Sequence, residues 1–140
     1  MPLPTNTQLI RRAHRAAKER HLTKCMIVGS VGSALATPAG HIFVGANIDA
    51  CCGIGFCAES SAIAAMVTAG GARIARIVAV SKKGRVLPPC GRCRELLVEL
   101  DNANLTTQVL IAPNRRVTLD SLLPHRWIRH HLPRRSSHRA

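Results

Sequence analysis

The chain has 140 residues, 46% of them apolar, a length and composition that fit one globular domain with a buried core. Lys and Arg number 20 against 7 Asp and Glu, which gives a formal net charge of +13. The apolar content excludes disorder for most of the chain, and no apolar run reaches the ~20 residues of a membrane helix. Because the N-terminus lacks the basic-then-apolar order of a signal peptide, we expect a cytoplasmic protein with reduced thiols and no membrane partner.

The positive charge is concentrated at the two ends of the chain. Residues 1–24 carry six Lys or Arg and one Glu, and residues 124–140 carry five Arg and no acidic residue. This distribution is typical of a solvated helix face and a basic tail, although it also suits nonspecific contact with nucleic acid. Three aromatic residues in the whole chain provide little stacking surface for bases, so nucleic acid is not favoured as the partner.

The hydrophobic pattern predicts the elements in chain order. An N-terminal helix over 5–21 precedes a hairpin of two strands, and helices and strands then alternate. The two hairpin strands are predicted over 26–36 and 41–48, and later strands over 74–81, 107–112 and 116–118. The later helices are predicted over 57–69, 90–100 and 118–123. This order predicts an α/β fold with a mixed five-stranded sheet covered by helices. No linker divides the chain, so we expect a single domain over residues 1–127 and a basic Arg/His-rich C-terminal tail over 128–140.

Two cysteine segments each open a predicted helix, Cys57-Ala58-Glu59 and Pro89-Cys90-Gly91-Arg92-Cys93. Three thiolates can bind zinc and leave a fourth position open, which is the arrangement of catalytic rather than structural sites. Helix N-termini favour thiolates over thiols. Glu59, two residues after the first of these cysteines, matches the signature of zinc deaminases in its three-cysteine form. The alternatives are a structural zinc or buried thiols, with Glu59 as an ordinary first-turn acid.

With these motifs and others, the chain resembles the cytidine deaminase superfamily, specifically its small zinc-dependent nucleoside deaminases. The hairpin motifs Val31-Gly32-Ser33-Ala34-Leu35 and 42–49 are similar to the first hairpin of those enzymes. The two cysteine segments look like their two zinc helices, and Leu122-Leu123-Pro124 followed by Trp127 is similar to their C-terminal segment. The resemblance covers residues 8 to 127 and implies a three-layer cytidine-deaminase-like fold.

The resemblance also implies an activity and a set of site residues. It implies a hydrolytic deaminase that converts a cytosine nucleoside to the uracil nucleoside plus ammonia, in pyrimidine salvage, as a homotetramer. One Zn²⁺ per subunit would be bound, with Glu59 as the general acid and base. The implied zinc ligands are Cys57, Cys90 and Cys93, and the implied substrate contacts are Asn47 and Asp49 (sugar hydroxyls), the backbone of Ala58 and Pro89 (base), and Trp127 (across a subunit interface).

Departures from the family pattern leave the substrate open. Asp49 stands where cytidine deaminases commonly have Glu, Gly29 where they have Phe, and Ser60 where an Arg often follows the catalytic Glu. The absent Phe is shared with blasticidin S deaminases, so a blasticidin S-type deaminase is the alternative within the family. A polynucleotide cytosine deaminase and a non-catalytic zinc module that binds RNA remain further alternatives. A strongly basic protein repels cationic blasticidin S and is indifferent to neutral cytidine, which favours plain nucleosides.

Overall fold

The computed structural model describes residues 1–127, so the basic tail predicted over 128–140 lies outside the described residues. The described chain contains three α-helices and a sheet of seven strands. The helices are α1 (Asn6–Ala16), α2 (Ala58–Thr68) and α3 (Gly91–Leu100). The strands are β1 (Arg20–Thr23), β2 (Met26–Ala36), β3 (Ile42–Ala50), β4 (Arg76–Ser81), β5 (Val86–Leu87), β6 (Gln108–Ala112) and β7 (Arg115–Thr118).

The long strand β2 organises the mixed sheet. One edge of β2 pairs with β3 in an antiparallel hairpin, and its other edge pairs with β1 and then with β4. Strand β4 continues the sheet through a parallel pairing with β6 near its start and an antiparallel pairing with β5 near its end. Strand β7 closes the far edge against β6. The α/β fold class is therefore confirmed, with both parallel and antiparallel pairs.

Helices cover both faces of this sheet, which gives the three layers that the resemblance implies. On one face α1 buries Leu9 and Ala13 against Ala34, Val78 and Leu110. On the other face α2 and α3 bury a second cluster, in which Ile63, Met66 and Leu97 meet the sheet. Among residues 1–127, no helix is long and apolar enough to cross a membrane.

Two glycines allow the helices to approach the sheet closely. A Cβ atom on Gly32 would overlap the carbonyl oxygen of Ala13 in α1. A Cβ atom on Gly45 would overlap the backbone of α2 at Ala62. Any larger residue at Gly45 would push α2, and with it the cysteine and glutamate at its N-terminus, away from β3.

The structure corrects two details of the sequence prediction. The N-terminal helix ends at Ala16 rather than at 21, because the chain turns after Ala17 and Arg20–Thr23 pairs with β2 as strand β1. The sheet has seven strands rather than five, since β1 and the two-residue β5 were not predicted. All four side chains of β1 are exposed, so the strand forms through backbone pairing and carries no apolar pattern to reveal it.

Candidate metal centre and active site

Two helix N-termini place the three cysteines. Cys57 is the N-cap of α2 and Cys90 the N-cap of α3, both with extended backbone and no side-chain cap. Cys93 follows within the first turn of α3 and is fully buried. The unpaired N–H groups of a helix N-terminus stabilise negative charge, so both N-termini favour thiolates at this point.

The sulfur atoms lie at distances that suit a tetrahedral metal. Cys57 Sγ and Cys90 Sγ are 3.6 Å apart, and the sulfurs of Cys57, Cys90 and Cys93 all lie within 4.8 Å of one another. Tetrahedral zinc–sulfur bonds of ~2.3 Å imply a sulfur–sulfur separation of about 3.8 Å. Three thiolates are also a donor set that zinc prefers. The residues present therefore fit a zinc ion.

Without a cation, burial and mutual proximity oppose ionisation at two of the three thiols. Burial raises the pKa of Cys93, and the neighbouring Glu59 carboxylate raises it further. Burial also raises the pKa of Cys57, with a further rise from the Cys90 thiol. Burial opposes ionisation at Cys90 as well, but hydrogen bonds from Cys93 outweigh it and lower the Cys90 pKa. Three adjacent thiolates need a compensating charge, and a divalent cation supplies it.

Glu59 projects from the second position of α2 into the same region. It is 5% exposed, and this burial raises its pKa, against hydrogen bonds from its own backbone and from Cys93 that lower it. A carboxyl group buried beside a metal centre, with a pKa above its usual range, is suited to accept and release a proton.

A cavity of about 340 Å³ opens beside Glu59 and the cysteines. This volume is at the lower end of the range for small-molecule sites. Of the predicted site residues, the cavity is lined by Cys57, Cys90, Glu59, Asn47, Asp49 and Ala58. The fold thus brings β3 and the two helix N-termini to one point.

A polar network fixes the end of the cavity at β3. Asn47 is 7% exposed, and its Oδ1 accepts a hydrogen bond of 2.9 Å from the backbone N–H of Val31. Its Nδ2 donates to Ser30 Oγ at 2.9 Å and to Asp49 Oδ2 at 3.1 Å. Asn47 therefore orients one oxygen of Asp49, whose side chain is otherwise exposed at the cavity.

Basic side chains near the centre have distinct positions. Arg92 lines the cavity, and its Nη1 lies 3.5 Å from the carbonyl oxygen of Gly55. Arg94 points elsewhere, since its Nε donates to Pro89 O at 2.8 Å and its Nη1 to Leu122 O at 3.3 Å. Ser60 places a buried hydroxyl oxygen that has no hydrogen-bond partner among the described residues. Arg92 is thus the cation that the cavity itself contains.

Two predicted substrate contacts lie away from the cavity lining. Pro89 is buried behind Pro88, and its carbonyl oxygen accepts the hydrogen bond from Arg94. Trp127, the last described residue, is 54% exposed and does not line this cavity. The roles of both residues toward substrate remain predictions.

Several lining residues were not singled out from the sequence. They are Gly55 and Phe56 just before α2, Ala79 of β4, Leu87 of β5, and Pro88. Phe56 forms a bridge with Ile48, with paired backbone hydrogen bonds of 3.0 Å in each direction. The sequence offered one signal for Phe56 as a site residue: it is one of only three aromatic residues in the chain, and it directly precedes Cys57.

Comparisons with known proteins agree with this geometry. Residues 4–108 match the family model described as the cytidine and deoxycytidylate deaminase zinc-binding region. The chain is 34% identical over 106 residues to a cytidine deaminase of Mycobacterium tuberculosis, covering 75% of this chain and 77% of the relative. It is 33% identical over 111 residues to a blasticidin-S deaminase of Bacillus cereus, covering 71% and 77%.

Solved structures share the fold. A crystal structure of cytidine deaminase from Mycobacterium tuberculosis superposes with a TM-score of 0.71 at 29% identity, covering 86% of this chain and 95% of that one. One from Burkholderia pseudomallei gives a TM-score of 0.71 at 28% identity, covering 89% and 100%. The resemblance drawn from the motifs is confirmed, and the zinc-binding region includes all three cysteines. The chain belongs to the cytidine and deoxycytidylate deaminase family.

Proposed function

We propose that this protein hydrolyses the exocyclic amine of a cytosine nucleoside, with water as co-substrate and the uracil nucleoside and ammonia as products. The observation that carries the proposal is a cluster of three thiols beside a buried carboxylate, with two of the thiols and the carboxylate lining one cavity of about 340 Å³. Family membership supports the same reaction class, a zinc-dependent hydrolytic deamination.

In this proposal Cys57, Cys90 and Cys93 hold the zinc ion. When bound, zinc supplies the Lewis acidity that makes water a nucleophile at neutral pH. Glu59 accepts the proton of the attacking water and donates a proton to the ring nitrogen. It then carries the second proton to the departing amine, which leaves as ammonia. The buried position of Glu59 limits its contact with bulk water during these transfers.

The β3 end of the cavity binds the sugar. Both hydrogens of the Asn47 amide nitrogen are already donated within the protein, to Ser30 and Asp49, so we assign Asn47 to positioning Asp49. The second carboxylate oxygen of Asp49 is available to accept a hydrogen bond from a sugar hydroxyl. The negative charge of Asp49 at this end disfavours a phosphate there, which supports a free nucleoside over a polynucleotide.

An ultraviolet deamination assay on zinc-loaded protein tests the proposal. The panel comprises cytidine, deoxycytidine, 5-methylcytidine, blasticidin S and a short single-stranded oligonucleotide. We expect loss of the cytosine absorbance with a neutral nucleoside, at a rate proportional to zinc content. Conversion of the oligonucleotide alone, with every free nucleoside untouched, would contradict the assignment.

Blasticidin S is the second candidate substrate, because the relatives include a blasticidin-S deaminase at nearly the same identity as the cytidine deaminases. Against it, the net charge of +13 and the presence of Arg92 in the cavity repel a cationic ligand. A ratio of kcat/KM for cytidine over blasticidin S above one supports the first candidate, and a ratio below one supports the second.

The proposal extends to the assembly and the setting of the enzyme. We infer a homotetramer of the deaminase domain, residues 1–127, in which Trp127 contacts the substrate of a neighbouring subunit. The exposure of Trp127 outside its own cavity supports this. Light scattering of the zinc-loaded protein measures the assembly directly.

A free-nucleoside substrate also fits a cytoplasmic enzyme of pyrimidine salvage. We assign the tail over 128–140 no part in the reaction.

A further inference from the structure

Acidic residues are scarce on the side of the sheet that α1 covers. Of the seven acidic residues of the chain, Glu19 alone lies beside α1. The other six are in the catalytic cavity, on α3 or after it, or in the turn after β7: Asp49, Glu59, Glu95, Glu99, Asp101 and Asp120. The α1 side of the sheet is therefore almost free of acidic groups.

Basic side chains cover that side. We define the basic face by Arg11, Arg12 and Arg15 of α1, Lys83 and Arg85 of the β4–β5 turn, and Arg116 of β7, all of which are exposed. Contacts join these elements into one surface. His14 of α1 lies 3.1 Å from the carbonyl oxygen of Lys82, and Asn6 donates to Pro113 O at 3.1 Å. Cations from three elements therefore point to the same side of the molecule.

These cations repel one another within the protein. Arg11 and Arg15 are one turn apart on α1, a spacing at which like charges destabilise a helix. Arg76 has a buried Nε without a partner among the described residues, and burial together with the nearby Arg116 lowers its pKa. The described residues contain one ion pair, Lys82 with Glu19, and it neutralises a single charge of this side. An external polyanion would relieve the repulsion.

The shape and chemistry of the basic face favour duplex nucleic acid. Helix α1 has 11 residues and is about 16 Å long, which spans about five base pairs of duplex. The three described aromatic residues lie elsewhere, on β3, at the cavity and after β7, so no stacking platform for single strands is present. The apolar residues of α1 face the core, so the helix has no side chains for insertion into a membrane.

We propose that the basic face binds the phosphate backbone of double-stranded nucleic acid, without sequence preference and without participation in deamination. Binding would hold the enzyme on nucleic acid while its cavity, on the opposite side of the sheet, turns over free nucleosides. This inference does not depend on the proposed substrate, because binding is measured without turnover.

Fluorescence anisotropy of the full chain, zinc-loaded, with a labelled 20-base-pair duplex of random sequence tests the proposal. The test variant is Arg11→Glu/Arg15→Glu. The matched control is Lys24→Glu/Arg73→Glu, which changes net charge equally at two exposed positions off the face, in the β1–β2 turn and the α2–β4 connection. At 0.1 M salt, charges more than ~10 Å away are largely screened, so only the face variant should lose contacts.

We expect the face variant to bind at least tenfold more weakly and the control to stay within about twofold of the unmodified protein. The slope of log Kd against log salt should fall by about 2 in the face variant, since each phosphate contact contributes ~0.9. Deamination of cytidine should be unchanged. Arg11→Gln/Arg15→Gln, which removes the repulsion, provides a variant that should fold at least as well.

Four outcomes would overturn the proposal. They are equal loss in face variant and control, tighter binding of a single strand than of the duplex, no duplex binding at low salt, and binding of phosphatidylserine vesicles without binding of duplex. The last of these would assign the face to a membrane surface. If the unmodified, zinc-loaded protein binds the duplex but does not deaminate nucleosides, the proposed function is contradicted and this inference still stands.

Discussion

The α2–α3 layer has two ends, and the hydrogen bonding of buried polar groups differs between them. At the cavity end, helix N-termini hold buried Cys93 and Glu59 and half-buried Ser60, whose hydroxyl oxygen has no hydrogen-bond partner among the described residues. At the far end, buried Asn104 donates to Ala72 O and Leu97 O at 3.0 Å each and accepts from the Ile74 N–H at 2.9 Å. Buried groups without partners cost stability and groups with full partners maintain it.

The difference shows where the fold gains stability and where it gives some up for chemistry. Asn104 joins the α2–β4 connection to the end of α3, and nearby Thr107 donates to Ile74 O at 2.7 Å. No cavity-lining residue contributes to this far-end network. The cavity end, by contrast, is completed by a metal ion and a substrate. Substitutions at the two ends should therefore separate activity from stability.

The largest effect on turnover with the metal retained is expected from Glu59→Gln at the cavity end. The amide keeps the volume of the side chain but cannot carry a proton, so turnover should fall by roughly 10³-fold or more. Zinc content should stay at one per chain because the three cysteines are unchanged. Turnover on the preferred nucleoside and metal analysis measure the two quantities. Glu99→Gln, on the exposed side of α3, is the control, and similar losses in both variants would contradict the assignment.

Replacing a cysteine of the cluster should remove the metal. In Cys93→Ser a hydroxyl replaces a buried thiolate, so we expect zinc content well below one per chain and no measurable turnover. Cys52→Ser, at an exposed cysteine outside the cluster, should retain both. Full zinc occupancy in Cys93→Ser would show that the ligand set has been assigned incorrectly. Removal of zinc by a chelator should likewise abolish turnover, and added zinc should restore it.

At the far end, Asn104→Ala should affect stability rather than chemistry. The substitution leaves the Ile74 N–H and two carbonyl oxygens without their partner, which we expect to cost about 2–4 kcal/mol of unfolding free energy. Thermal unfolding should shift down by roughly 10 °C, with kcat unchanged below the transition. Asn102→Ala, exposed in the same turn, is the matched control. A loss of kcat in folded Asn104→Ala would remove the contrast between the two ends.

A smaller effect is expected from Asp49→Ala, which sharpens the assignment of the sugar end. Loss of a hydrogen bond to a charged acceptor should reduce kcat/KM for cytidine by about tenfold or somewhat more. For a cytidine analogue without the sugar hydroxyls, kcat/KM should be the same in this variant as in the unmodified protein. If kcat/KM for the analogue falls as much as kcat/KM for cytidine, Asp49 maintains the shape of the cavity and does not bind a sugar hydroxyl.

Local sequence determined much of the fold and the chemical core of the site. Strand β2 was predicted with its observed bounds, and α2 and α3 begin within one residue of the predicted starts. These elements have strong local signals, such as β-branched runs, breaker residues and long apolar helix faces. The motif around Cys57, Cys90, Cys93 and Glu59 was recognisable because metal chemistry restricts both residue type and spacing.

Tertiary structure alone decided the surroundings of those residues. Strand β1 forms by backbone pairing with β2, and neither its pattern nor its exposed side chains mark it as a strand. Three features depend on contacts between distant segments: the hydrogen bonds of Asn47, the orientation of Arg94 toward Pro89 and Leu122, and the place of Arg92 in the cavity. Composition revealed the excess of positive charge, but only the layered fold left the α1 side of the sheet almost free of acidic residues. Residue types and their spacing are local properties of a chain, whereas hydrogen-bond partners and surfaces exist only after packing.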